Sequence, residues 1–158
     1  MNIEIVKINS TEDVYFESSL DSIRNFGIIL NKTSSIIKML HWFTKDYNTH
    51  KIFGDLYSNL IELFDVLQEE IIGTSKKYNV IFPSFNSSFN DLEDIQNYKE
   101  DENIIELYHK TTDYINNILT SIEFNDYVTK VKSGINNTKE EIISNINKTN
   151  YLLDIIKR

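Results

Sequence analysis

Apolar residues recur every three or four positions in four separate runs along this chain. The first comprises Leu20, Ile23, Phe26, Leu30, Ile37 and Leu40, with Thr33 and Ser34 interrupting it. That spacing returns side chains to one face of an α-helix. It predicts a helix over 18–46, with Ser18 or Ser19 as its cap. The second run, Phe53, Leu56, Leu60, Leu63/Phe64, Leu67 and Ile71, predicts a helix over 50–72. Asn48 or Thr49 is placed to cap it, and Gly73 sits where a left-handed C-cap belongs. The polar stretch Asp46-Tyr47-Asn48-Thr49 is too short to do more than reverse the chain, so these two helices form an antiparallel hairpin.

Two further runs follow. Ile105, Tyr108, Ile115, Ile118/Leu119 and Ile122 predict a helix over 102–122. Val128, Val131, Ile135, Ile142, Ile146, Leu153 and Ile156 predict a last helix over 126–157, capped by Asn125 or Asp126. Residues 1–17 show weak alternation (Ile3, Ile5, Val6) and read as an arm that packs on a neighbour. Between 74 and 102, Pro83, serine-asparagine pairs and an acidic run oppose one continuous helix, although 91–98 suits a short one capped by Asn90 or Asp91. The expectation is an all-α, four-helix bundle in a single domain over 1–158. Its long crossover lets the second and third helices run parallel.

Composition narrows the function classes. Of 158 residues, 41% are hydrophobic and 12% aromatic, too many for a disordered chain. One proline and four glycines leave long stretches free of helix breakers. No window approaches the ~20 uncharged apolar residues of a membrane span. Met1-Asn2-Ile3-Glu4 lacks the basic and apolar regions of a secretory signal. The absence of cysteine excludes disulfides and thiolate metal sites and fits an intracellular, cytoplasmic protein. A formal charge of −8, with no basic cluster longer than Lys76-Lys77 before Lys157-Arg158, argues against nucleic-acid binding, which needs cations to displace phosphate counterions.

Candidate chemistry concentrates around the hairpin. Two of the three histidines, His41 and His50, lie nine residues apart there. Asp65 and Glu69 are spaced i, i+4, which places both carboxylates on one helix face. Two imidazoles and two carboxylates make a ligand set suited to a first-row transition metal, iron above all. The wording His41-Trp42, then His50-x-x-Phe53-x-x-Leu56-Tyr57, then Asp65-x-x-x-Glu69 resembles the metal-site region of Dps, the mini-ferritins of the ferritin-like superfamily. Glu140-Glu141-Ile142 and the run Ile146 to Leu153 are also similar to the last helix of small phage-encoded ferritin-like proteins.

The Dps resemblance implies a ferritin-like fold. It also implies an iron site between two subunits, with His41 and His50 of one chain facing Asp65 and Glu69 of its twin. It implies a homo-oligomer, a dimer at least and a dodecamer in the family's usual form. The implied activity is ferroxidase-type oxidation of Fe(II) by peroxide or oxygen, followed by iron storage or detoxification. The chain departs from the family in three places. The step from His41 to His50 is three residues shorter than is common. Gly54 stands where another acidic residue is frequent, which weakens a second iron position. No lysine-rich tail is present, which removes DNA protection from the expectation.

Two other function classes compete. One is a ferritin-like structural or interaction module, for instance in a phage particle, with a degenerate metal site. The other is a plain helical adaptor. For the site residues the bland alternatives are an imidazole hydrogen-bonded to backbone for His41, a solvated first turn for His50, and a solvated helix face for Asp65 and Glu69. Glu106-x-x-His109 resembles half of the motif that larger di-iron bundles use inside their cores, but only one copy occurs.

Overall fold

The structure, a computed structural model, describes residues 11–75, 80–81, 101–124 and 129–156. Among these the fold is all-α: four long helices and one two-residue ladder. Helix α1 spans Thr11–Phe43, α2 Tyr47–Ser75, α3 Asp101–Ser121 and α4 Thr129–Ile156. Strand β1 (Val80–Ile81) pairs antiparallel with β2 (Glu123–Phe124).

The directions of the helices follow from who meets whom. Asn59 of α2 donates to Asn145 of α4, and Thr138 of α4 donates to Glu70 of α2, so these helices are antiparallel. α1 and α2 are antiparallel across their short link. Ile104 and Ile105, early in α3, share a recess with Thr44 to Thr49 at the hairpin bend. The far end of α3 is tied by β2 to β1, just beyond the end of α2. α3 therefore runs parallel to α2, as the length of the crossover allows.

Among the described residues, the members of the four apolar runs other than Ile156 face one core. Phe26, Phe53, Leu60, Leu67, Ile115 and Ile142 are fully buried in it. Tyr108 lies among them, its ring 5.3 Å from Phe53 and its hydroxyl donating to the Ile146 carbonyl. Burial raises the Tyr108 hydroxyl well above the ordinary phenol range, because the phenolate would lose its water there. Thr33 and Ser34, expected to interrupt the first stripe, are instead buried with it. Threonine fits such places when its hydroxyl bonds back to its own helix. Thr111 does so to the Leu107 carbonyl at 2.7 Å, and Thr112 to the Tyr108 carbonyl at 3.0 Å. The buried Thr33 hydroxyl has no such partner among the described residues.

Several expected boundaries are corrected. α1 begins at Thr11, not 18, so part of the anticipated arm is helix. It ends at Phe43 rather than 46. α2 starts at Tyr47 rather than 50 and continues to Ser75 rather than 72. Gly73 does not end it, and no described glycine has positive φ. Thr74, buried, donates to the Glu70 carbonyl at 2.6 Å and carries the helix through another turn. Ile156, expected inward, is exposed in the last turn of α4. The short helix over 91–98, residues 1–10 and the proposed cap Asn125 or Asp126 lie outside the described residues.

Candidate functional site

The bend between α1 and α2 is fixed by side-chain chemistry at both ends. Asp46 caps α2: its Oδ2 accepts from the Thr49 backbone N–H at 2.7 Å and from the Thr49 hydroxyl at 2.8 Å. Its own carbonyl accepts the first helical bond, from His50 N–H at 2.8 Å. The cap is thus two residues earlier than Asn48 and three earlier than Thr49, where the carboxylate meets the Thr49 N–H in the first turn. The Thr49 backbone bond, followed by the Thr49 hydroxyl, holds the Asp46 carboxyl below its ordinary value.

Across this bend the two histidines clasp each other. His41 Nδ1 donates to the His50 carbonyl at 2.8 Å, and His50 Nδ1 donates to the His41 carbonyl at 2.7 Å. A carbonyl only accepts, so both Nδ1 atoms carry hydrogen. The rings lie 3.9 Å apart between centroids, tilted by 31°. Both residues are half-buried. The reading of His50 as a solvated first-turn residue therefore fails, whereas the backbone-bonded reading of His41 describes its Nδ1 correctly. Each imidazole retains Nε2, and a histidine whose Nδ1 is tied to a carbonyl is oriented as metal-ligating histidines are.

Gly54 makes the clasp possible. A Cβ on Gly54 would stand 2.9 Å from His41 Cε1 and 3.0 Å from His41 Nδ1, closer than side chains tolerate. The sequence signal was a glycine one turn after His50 inside a long helix, where it weakens helix propensity and so calls for a packing reason. A larger residue there would expel His41.

Asp65 and Glu69 are elsewhere. Both are exposed on the outer side of α2. Fifteen helical residues separate His50 from Asp65, about 22 Å at 1.5 Å per residue, so one chain does not bring the four groups together. Among the described residues no three His, Cys, Asp or Glu side chains gather as a metal-holding group. Asp65 borders a groove of about 360 Å³ between α1 and α2, floored by Leu30 and Phe64 and rimmed by Asn31, Ser34, Ile61 and Glu62. Of the competing pair, Glu106 is exposed, and His109 is half-buried with its ring edge-on to Tyr108 at 5.1 Å. That pair does not face the core together.

No described helix is long and apolar enough to cross a membrane. No curated protein and no solved structure matches the chain at a significant level. A family model does match, from His41, the first residue of the clasp, to Leu153, the last buried residue described in α4. Spanning residues 41–153, well over half of the sequence, that match makes the chain a member of the family described as "Family of unknown function (DUF5856)".

Proposed function

We propose that this protein is a ferritin-like bundle that binds Fe(II) between subunits and oxidises it, acting in iron storage or detoxification. The observation that carries the reading is the histidine clasp. Both Nδ1 atoms are engaged by main-chain carbonyls, so two oriented Nε2 atoms remain at the hairpin end. Asp65 and Glu69, exposed one turn apart on α2, supply the carboxylates only from a second copy, since the same chain holds them about 22 Å away. Neutral imidazole with carboxylate fits Fe(II), and carboxylates hold the ferric product as its charge rises. The chain's contribution is to orient the imidazoles and place the anionic oxygens. Peroxide or oxygen takes one electron from each Fe(II). The helix order, with α3 parallel to α2 after a long crossover, supports the ferritin-like reading of the fold.

Gly54 favours a second reading, a ferritin-like structural or interaction module with a degenerate metal site. It leaves the site one acid short and brings the two rings into contact. One experiment separates the two. Anaerobic addition of Fe(II) followed by peroxide is expected to raise the near-ultraviolet absorbance of ferric oxo species. Asp65→Asn is expected to lower the initial rate by about 100-fold, the scale of a lost ligand or its partner. A rate unchanged by Asp65→Asn, with Glu69→Gln equally silent, removes these carboxylates from the site.

A further inference from the structure

The groove between α1 and α2 holds a buried polar group that the bundle leaves unsatisfied. Ser34 lines it and is only 7% exposed. A serine inside a helix commonly bonds back to a carbonyl of the preceding turn. Its exposed neighbour Ser35 does so, to the Asn31 carbonyl at 2.9 Å. The Ser34 hydroxyl has no hydrogen-bond partner among the described residues. A polar group kept from bulk water without a partner costs stability, so its place on the wall of a groove calls for a reason.

Charge says what kind of group is missing. Glu62 and Asp65 line the same groove, and among the described residues neither carboxylate has an ion pair or a hydrogen bond. No cationic side chain lines it. On α1, Lys32 falls outside the lining, and Arg24 and Lys38 stand about a turn beyond its two ends. Lys38 is engaged elsewhere, 5.1 Å from the Trp42 ring and 5.3 Å from the Tyr57 ring. The groove thus presents two negative acceptors and a hydroxyl above an apolar floor of Leu30 and Phe64, with Ile61 as one wall. A protonated amine brings three N–H donors and no acceptor, the complement of that set.

We infer that this groove binds a small organic ammonium ion, a primary amine on a short alkyl body. The ammonium sits between the Glu62 and Asp65 carboxylates and donates to the Ser34 hydroxyl, and the alkyl body lies on Leu30 and Phe64 toward Gly27. Hydrogen bonds between ionised partners are the strong ones, and partial enclosure between two helices strengthens the attraction further. Size agrees: about 360 Å³ is at the lower end for a small-molecule site, and the lining from Gly27 to Ser34 covers about 10 Å of α1. A lysine carried by another protein offers the same group but needs a surrounding interface with an apolar centre. The residues around this groove, Asn31, Ser35, Glu62 and Asp65, are exposed and polar, which favours the small molecule. Asp65 also belongs to the proposed iron site, but Ser34, Glu62 and the apolar floor do not, and they define the amine site without reference to iron.

The test titrates n-pentylammonium chloride into the full chain stripped of metal by a chelator, followed by calorimetry. Saturable binding with a Kd on the order of 1 mM is expected. n-Pentanol, the same body without the charge, is expected to bind about 10-fold more weakly or less well still. Glu62→Gln is expected to weaken n-pentylammonium binding about 10-fold and Ser34→Ala about 3-fold, both with helicity unchanged. Ile61→Lys, at an exposed position on the groove wall, tethers an ammonium beside the acids and is expected to abolish binding. Absence of saturable binding, equal affinity for n-pentanol, or an affinity unchanged in both Glu62→Gln and Ser34→Ala overturns the inference. All three variants keep His41, His50, Asp65 and Glu69, so Fe(II) oxidation reports separately. A chain that binds the amine but does not oxidise iron keeps the amine site and loses the iron reading, and the reverse result does the opposite.

Discussion

The inner seam and the outer face of the α1–α2 hairpin are built from the same two helices, yet their polar residues behave in opposite ways. On the seam, His41 and His50 are committed to backbone carbonyls within 2.8 Å. On the outer face, Glu62, Asp65 and Glu69 stand exposed beside Ile28 and Ile61. A polar group shut between helices has to find its hydrogen bonds inside the protein, whereas one on the outside is served by water. Side chains on the seam therefore fix the shape of the hairpin, and those outside are free for function.

The contrast breaks most visibly with size. Phe53→Ala, on the core side of the seam, is expected to cost about 3–5 kcal/mol through lost burial and the cavity left behind. Ile61→Ala, two turns along on the outer face, is expected to stay within about 0.5 kcal/mol for the isolated subunit. Denaturant unfolding of both variants at low protein concentration measures the difference. Comparable losses would mean that the outer face is part of the core.

Gly54→Leu probes the clasp itself. With a side chain forced against His41, the variant is expected to lose about 1–3 kcal/mol by overpacking and to displace the imidazole. Histidine ring chemical shifts that match the parent protein would show that the clasp does not depend on this glycine.

The smallest effect belongs to the cap. Asp46 has its carboxyl depressed below 3.8 in the folded chain by bonds from Thr49. Its contribution to stability is therefore complete above that value and is lost as pH falls through the lower folded one. Asp46→Asn is expected to flatten the acid limb of the stability profile below about pH 4 and to leave neutral pH little changed, since asparagine caps nearly as well. An acid limb identical to that of the parent would assign acid sensitivity to other carboxylates.

The core was the most legible part of this chain. Three-four spacing names Ile23, Phe26, Leu60, Leu67, Ile115 and Ile142, and all are buried. Helix ends were less so. Asp46 and Asn48 are both competent caps by composition, and only the path of the backbone decides which oxygen meets Thr49 N–H. Thr33 and Ser34 look like gaps in a stripe, because a string of letters does not show that a hydroxyl can enter a core. The four proposed ligands were equally visible, and their order along the chain said nothing of which ones share a space.

Sequence by itself determined four amphipathic helices, a tight hairpin, a long crossover and an acidic chain without thiols, because local periodicity and composition are properties of neighbours in the chain. Tertiary structure alone decided that His41 and His50 grip each other's carbonyls, that Gly54 makes room for them, and that Asp65 and Glu69 face outward about 22 Å from His50. Those outcomes depend on how one helix is rotated and raised against another. That is settled by packing over the whole interface, and no single stretch of residues encodes it.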